Sequence, residues 1–174
     1  MKIRRHIAVM MYQQLGTMAL GHLDNETLEA VIDNFNAFRK VAEDFDTLKE
    51  ELHKRLYVNV ADEKKATFFN LVAKYEAERD MEKREAQWEM MQRNFADLLP
   101  IYEKHLSVIV SLANKEVDIE LTEVDEDEFI KGVVKGAKDA PVLEIRAAFA
   151  PMFKKAEKKN DDFSELDELL KETL

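Results

Sequence analysis

The chain has 174 residues, no cysteine, four glycines, three prolines and a formal net charge of −10 at pH 7. This length predicts roughly one domain, and a hydrophobic fraction of 46% supplies enough apolar material for a folded core. The composition excludes a disulfide scaffold and a cysteine nucleophile, and the scarcity of turn residues argues against an all-β fold.

The amino-terminal segment has basic residues ahead of a short apolar run, Ile7 to Tyr12, which stops at Gln13. This run is shorter than the hydrophobic region of a signal peptide and far shorter than the ~20 residues that cross a membrane. We therefore expect the segment to belong to the mature fold of a cytoplasmic protein that has no membrane contact.

The first predicted helix covers residues 3–20. Its apolar side chains recur at intervals of three to five positions and form one stripe: Ile3, Ile7, Met10 or Met11, Leu15 and Met18. Gly16 weakens this helix, and Gly21 stands where helices commonly end.

The second predicted helix, at about residues 25–57, has the strongest pattern in the sequence. Apolar residues recur every three or four positions for about four heptads, as in a coiled coil, and predict a face packed on a partner helix. At 1.5 Å per residue this helix is roughly 45 Å long. Three phenylalanines on the face should be buried against a helix of the same chain or of a second copy: Phe35, Phe38 and Phe45.

The pattern weakens after residue 57. Residues 57–60 are β-prone, and Asp62 is then expected to cap a third helix. Residues 76–85 are almost wholly charged, and a helix that is polar on all sides either bridges between packed parts or breaks. We favour a continuous helical arm here, with a break near residue 80 as the alternative.

Pro100 is predicted to kink or end that arm at Leu99, because proline lacks the backbone donor that a helix interior needs. A further helix is expected from Ile101 to about Asn114. Its inward face is predicted from the apolar spacing: Tyr102, Leu106, Ile109, Val110 and Ala113. Two histidines are assigned to the surface because charged residues flank them: His53 and His105.

Residues 117–122 alternate between apolar and polar side chains, which is typical of a half-buried strand. A lone strand leaves backbone hydrogen-bonding groups unpaired. We therefore expect Val117 to Leu121 to pair with the other β-prone segment, Tyr57 to Val60, in a small sheet laid on the helices.

Two short helices and a tail complete the predicted order. Asp125 should cap a helix from Glu126 to about Ala137, and a second helix starting near Pro141 should bend at Pro151, after Phe149. Residues 161–174 predict an acidic amphipathic helix. Its apolar face should dock either on the chain itself or in a groove of another chain: Phe163, Leu166, Leu169 and Leu170.

The whole predicts a mainly α fold, with a long helical hairpin or arm, smaller helices and a short two-stranded β element. Residues 1–160 form one helical domain, and residues 161–174 form the tail. The net charge is concentrated in two segments, because residues 114–128 carry −7 and residues 161–174 carry −5. Acidic segments repel phosphate, so we do not expect direct nucleic-acid binding.

Motifs that carry chemistry are missing from the sequence. No histidine has a second histidine three or four positions away, and neither a nucleophile elbow nor a phosphate-binding glycine loop occurs. We therefore expect no catalytic residue, no metal ion and no cofactor.

One stretch resembles a known group of proteins. Residues 114–121 read Asn-Lys-Glu-Val-Asp-Ile-Glu-Leu, and an acidic segment, Val124 to Phe129, follows. After a long helix and a charged helix, this order resembles small helical proteins of unknown function encoded in bacteriophage and prophage gene clusters. The shared outline covers residues 3–130. The resemblance implies a phage-related role without enzymatic activity, and it transfers no functional residues.

These observations predict a non-enzymatic, cytoplasmic protein–protein interaction module, such as a phage accessory or assembly factor, in the host cytoplasm if the chain is phage-encoded. The alternative is an acidic inhibitor, a nucleic-acid mimic that covers a basic surface of a host protein. The partner is another protein or a second copy of the chain. The candidate partner-binding residues are the four apolar tail residues and four carboxylates: Asp118, Glu120, Asp125 and Asp127.

Overall fold

A computed structural model of the chain describes residues 1–137 and 139–154. Helices account for 74% of these residues, one of them is 32 residues long, and the sheet has two antiparallel strands, which confirms the predicted fold class. In chain order the elements are β1 (Lys2–Arg4), α1 (Arg5–Thr17), α2 (Asn25–Leu56), α3 (Asp62–Ala77), α4 (Met81–Asn94), α5 (Leu99–Asn114), β2 (Glu116–Asp118), α6 (Glu126–Gly136) and α7 (Val142–Phe149), with a 3-10 turn at Ala150–Met152.

The described chain divides into two compact units. The first unit contains Met1–Gly16 and Phe35–Glu120, and the second contains Thr17–Asn34 and the described residues from Leu121 onward. Each unit has buried aromatic and aliphatic side chains of its own.

Helix α2 confirms the predicted aromatic face at two of its three positions in the first unit. Phe38 is fully buried and Phe45 nearly so, while Phe35 is half-buried and its ring lies 5.0 Å from that of Tyr12 on α1. The guanidinium of Arg5 lies over the Phe45 ring and donates a 2.8 Å hydrogen bond to the backbone oxygen of Leu112. Arg5 therefore joins α1, α2 and α5, so this basic residue is part of the packing.

The predicted strand pairing is wrong. Strand β2 pairs with β1, in the register Lys2↔Asp118, Ile3↔Val117 and Arg4↔Glu116. Residues 57–60 form a turn, in which the N–H of Val60 donates to the backbone oxygen of Tyr57. Since β1 has only three residues, its alternation was too short to distinguish from the start of the predicted first helix. The observed register places cations opposite anions, which favours this pairing.

The charged segment near residue 80 breaks, so the favoured continuous arm is wrong and the alternative is confirmed. Helix α3 ends at Ala77, and the side chain of Asp80 caps α4 by accepting from the N–H groups of Glu82 and Lys83. The Glu78 carboxylate accepts from the N–H groups of Arg79 and Asp80 within the break. Side chains thus satisfy backbone donors that a continuous helix would have paired internally. Helix α4 then packs on α3.

The start of α3 also differs from the prediction, because Ala61 occupies the N-cap and makes no side-chain cap bond. Asp62 lies in the first turn and forms a 2.7 Å ion pair with Lys65. The carboxylate still opposes the positive end of the helix dipole, so the residue favours a helix start from a neighbouring position.

Helix α5 begins at Leu99, so Pro100 lies in its first turn, where a missing N–H costs nothing. The predicted inward face is wrong at Leu106 and Val110, which are exposed, whereas Tyr102, Ile109 and Ala113 are half-buried. His105, which was not predicted to face inward, is buried. Both faces of α5 carry apolar residues, so apolar spacing did not fix which face packs. The surface assignment of His105 is therefore wrong, and that of His53 is wrong in part because this ring is half-buried.

In the second unit, Asp125 caps α6 as predicted, accepting a 3.1 Å hydrogen bond from the N–H of Glu128. Helix α7 ends at Phe149, and Pro151 lies in the 3-10 turn that follows, which confirms the predicted bend. The predicted tail, residues 161–174, lies outside the described residues. No helix within residues 1–137 and 139–154 has the length and apolar character to cross a membrane.

Gly132 of α6 lies against Leu23, because a Cβ on Gly132 would stand 2.4 Å from Leu23 Cδ2 and 3.2 Å from Leu23 Cα. We expect Gly132→Ala to lower the free energy of unfolding by about 1–3 kcal/mol, although alanine has the higher helix propensity. Urea denaturation followed by circular dichroism measures this change. Gly21→Ala is the matched control, since a Cβ there meets no atom within 4 Å. An equal loss in both variants would contradict the contact.

Candidate functional site

A cavity of about 550 Å³ lies in the second unit, beside the first turns of α2 and α6. Seven carboxylates line it, and Lys154 is the one cation among the described lining residues. The carboxylates belong to α2 with its preceding residue and to the chain around the start of α6: Asp24, Glu26, Glu29, Asp33, Glu123, Asp125 and Glu128. Residues about 90 positions apart in the sequence therefore form one acidic wall.

Asn34 holds the two sides of the cavity together. Its amide nitrogen donates a 2.8 Å hydrogen bond to the backbone oxygen of Thr122, and its amide oxygen accepts a 2.7 Å bond from the N–H of Thr122. Asn34 is 1% exposed, so water does not replace these bonds. This reciprocal pair fixes the segment before α6 alongside the first turns of α2.

Backbone pairing holds the other end of that segment. The N–H of Val124 donates to the backbone oxygen of Met152, and the N–H of Lys154 donates to the backbone oxygen of Val124. The two bonds form a short bridge between residue 124 and the chain after α7. The bridge brings the Lys154 side chain to the cavity and places Glu123 and Asp125 on either side of a buried valine.

Two of the carboxylates cap helices. Asp24 accepts a 2.9 Å hydrogen bond from the N–H of Thr27 and a 2.7 Å bond from its hydroxyl. These two bonds, the backbone bond first, lower the pKa of Asp24 below its usual value. Asp125 has the corresponding position at α6. Both side chains satisfy free N–H groups, so their local role is to start the helices.

Four other carboxylates form no ion pair among the described residues: Glu26, Glu29, Asp33 and Glu123. Glu128 differs, because it binds Lys131 at 3.0 Å. The wall therefore carries negative charge that the described part of the chain does not balance. Within that part, no group of three metal-ligating side chains has the arrangement to hold a metal ion. The arrangement can attract ammonium and guanidinium groups and repel anions.

The four predicted carboxylates lie in different places. Asp125 lines the cavity. Asp127 lies in the first turn of α6, with its carboxylate 3.5 Å from the Arg146 guanidinium, which also forms an ion pair with Glu126. Asp118 and Glu120 belong to the first unit, where Asp118 stands opposite Lys2 in the sheet. The acidic segment at residues 114–128 is therefore divided between the two units, although it is continuous in the sequence. The apolar residues of the tail lie outside the described residues.

Sequence reasoning missed the contribution of α2 to this site. The net charge was assigned to residues 114–128 and 161–174, although residues 24–33 also carry four acids and no base. A usable signal existed, since Glu26, Glu29 and Asp33 follow the three-and-four spacing that puts side chains on one helix face. The spacing does not predict which other acidic segment, here the one around Asp125, lies beside that face.

The sequence matches no protein-family profile, and neither the curated proteins nor the solved structures include one with significant similarity to this chain.

Proposed function

We propose that this chain is a non-enzymatic interaction protein whose acidic cavity in the second unit binds a basic segment of another protein. The observation that supports this function is the set of four carboxylates, Glu26, Glu29, Asp33 and Glu123, that face the cavity region without a described cationic partner. Lysine or arginine side chains of a partner supply the missing charge. The preformed wall lowers the cost of binding, because Asn34 already holds its two sides in place.

The expected interaction is electrostatic and sensitive to salt. Exposed carboxylates gain only modest energy from each ion pair, but a surface of one sign speeds the encounter with a cationic partner. Surface attraction of this kind weakens as ionic strength rises, since the Debye length is about 8 Å at physiological salt.

Asp33→Lys is expected to weaken binding of a fluorescent peptide of eight lysines by about 2- to 10-fold at low salt, because the change replaces an attraction by a repulsion. Fluorescence anisotropy at two salt concentrations measures the affinity and its salt dependence. Asp44→Lys is the matched control, because Asp44 is an exposed aspartate of α2 in the first unit. Equal weakening by both variants would show attraction to net charge alone and would contradict the site.

A second function, the acidic inhibitor that mimics nucleic acid, is supported by the spacing of charges on α2. Glu26, Glu29 and Asp33 lie about 4.5 Å and about 6 Å apart along the helix axis, on the order of the ~3.4 Å between phosphates of one DNA strand. Competition distinguishes the two functions. If the chain is an inhibitor, we expect it to displace a DNA oligomer from an arginine-rich nucleic-acid-binding peptide. We expect the Asp33→Lys variant to lose this displacement. An interaction module that binds lysine peptides without displacing DNA supports the first function.

We place the protein in the cytoplasm, as a phage accessory or assembly factor. The support is the resemblance of residues 114–121 and the acidic segment that follows to proteins of bacteriophage and prophage gene clusters. The partner in this proposal is a basic protein, or a second copy of the chain that offers a basic segment.

A further inference from the structure

Four rings from three helices form a cluster in the first unit. His53 lies in the last turn of α2, and Tyr57 directly follows that helix. Phe69 lies on α3 and His105 on α5. The His53 ring lies 4.8 Å from that of Tyr57, 5.1 Å from that of Phe69 and 5.8 Å from that of His105, measured between centroids. Tyr57 also contacts Phe69 and His105, so both imidazoles pack on the same phenol.

His105 is the buried member of the imidazole pair. Only 9% of it is exposed, and its Nδ1 lies 3.5 Å from the Tyr57 hydroxyl. Burial lowers the pKa of His105 below its usual value, and the nearby His53 lowers this pKa further. Burial also raises the pKa of Tyr57 to about 12, so the hydroxyl keeps its proton and can donate toward neutral His105.

A cavity of about 600 Å³ opens beside the pair, lined by both histidines, Ile109 and charged residues of α2. The charges on that side are largely paired locally, since Lys49 binds Asp46 at 2.6 Å and Lys54 binds Glu51 at 3.2 Å. Glu50 is the remaining charged group that lines the cavity.

The other elements around the cluster bring no further charge to His105. The contact from α3 is Phe69, which cannot titrate. Within α5, the neighbouring phenol of Tyr102 donates a 3.0 Å hydrogen bond to Glu76. Its pKa is raised to about 12, by burial first and by Glu76 second, so it stays neutral. No described carboxylate therefore forms an ion pair with either imidazole.

We propose that the His53–His105 pair is a proton-operated switch that releases α5 from α2 and widens the cavity between them when the pH falls. Protonation of His105 places a positive charge on a buried ring, and an Nδ1 that carries a proton no longer accepts from the Tyr57 hydroxyl 3.5 Å away. The positive charge on His105 also faces the His53 ring at 5.8 Å, without a carboxylate between the two rings. Turning His105 toward water relieves both effects and opens the cavity, because water solvates the charged ring.

The direction of the pH dependence follows from proton linkage. The released form takes up a proton at an ordinary histidine pKa of about 6.5, whereas the packed form holds His105 neutral to a lower pH. The packing is therefore fully favourable above about pH 6.5 and is lost as the pH falls below that value, toward the lowered pKa of the packed form. In that window, the equilibrium constant for release rises by up to about tenfold per pH unit for each proton taken up.

Native-state hydrogen exchange of the α5 amides between pH 7.5 and 5.0 tests the switch, after correction for the intrinsic rate of exchange. We expect the opening constant of α5 to rise with acid in the wild-type chain and to lose this rise in His105→Gln, which keeps a polar group near Tyr57 without titrating. His22→Gln is the matched control, because His22 is an exposed histidine of the second unit. An acid-induced rise that persists unchanged in His105→Gln would overturn the proposal.

The His53→Gln variant separates the pair from His105 alone. We expect this variant to reduce the acid-induced opening and to move the His105 titration, followed by the NMR signal of its Cε1 proton, toward higher pH, because a repelling neighbour has been removed. A His105 titration that His53→Gln does not move would contradict coupling between the rings. Both readouts use the folded full-length chain, and equal far-UV circular dichroism at pH 7.5 confirms that each variant folds.

Discussion

Phe38→Ala is expected to lower the free energy of unfolding by about 3–5 kcal/mol, the largest effect among the changes considered. Phe38 is fully buried in the first unit, on the aromatic face of α2. Its removal costs the transfer energy of the ring and leaves a cavity that a close-packed interior only partly fills. Urea denaturation at pH 7.5, followed by circular dichroism, measures the loss.

The control for Phe38→Ala is Leu48→Ala on the same helix. Leu48 is 38% exposed, so its truncation removes less buried surface and leaves no closed cavity. We expect its cost to stay near 0.5 kcal/mol or below, to order of magnitude. Identical denaturation curves for wild type and Phe38→Ala would show that the aromatic face does not form a packed core in solution.

Asn34→Ala is expected to lower the free energy of unfolding by about 2–4 kcal/mol, because it leaves the backbone N–H and the backbone oxygen of Thr122 without their partner. A buried backbone group that loses its hydrogen bond stays desolvated, and no protein hydrogen bond then offsets that cost. The same variant should also lower the affinity for the lysine peptide, because Glu123 is no longer held beside α2.

Asn36→Ala is the matched control for Asn34→Ala. Asn36 is half-buried in the first unit. The Asn36→Ala variant should change the free energy of unfolding by no more than about 0.5 kcal/mol and should leave the affinity for the peptide unchanged. Loss of stability in Asn34→Ala with unchanged peptide affinity would show that the Asn34–Thr122 hydrogen bonds support the fold and not the acidic wall. Unchanged stability would contradict the contribution of these two bonds.

Local interactions are what the sequence predicted well. Helix α2 was placed to within one residue at its C-terminal end, because its apolar spacing persists over many turns and one strong pattern outweighs single exceptions such as Lys49. The cap at Asp125 and the end of α7 before Pro151 were also predicted. In each case the deciding interaction lies within four residues, so the information is contained in a short segment of sequence.

Tertiary structure decided the features in which two solutions were locally equal. Both faces of α5 are apolar, so only packing against α2 and α3 selected the face that buries His105. Strand β2 was predicted to pair with residues 57–60, and its observed partner β1 places Lys2 and Arg4 opposite carboxylates. The predicted continuous arm is broken between α3 and α4, because the side chains of Glu78 and Asp80 accept hydrogen bonds from the backbone N–H groups freed at the break.

The acidic cavity shows the same division between local and distant interactions. From the sequence alone came the excess of acids in residues 114–128 and the presence of Asp125 at a helix start. The structure separated Asp118 and Glu120 from that group and joined Asp125 to acids of α2. Residues 88 positions apart meet because the buried Asn34 amide bonds to Thr122. Composition determines how much charge a chain carries, but hydrogen bonds between distant segments determine which charges share a surface.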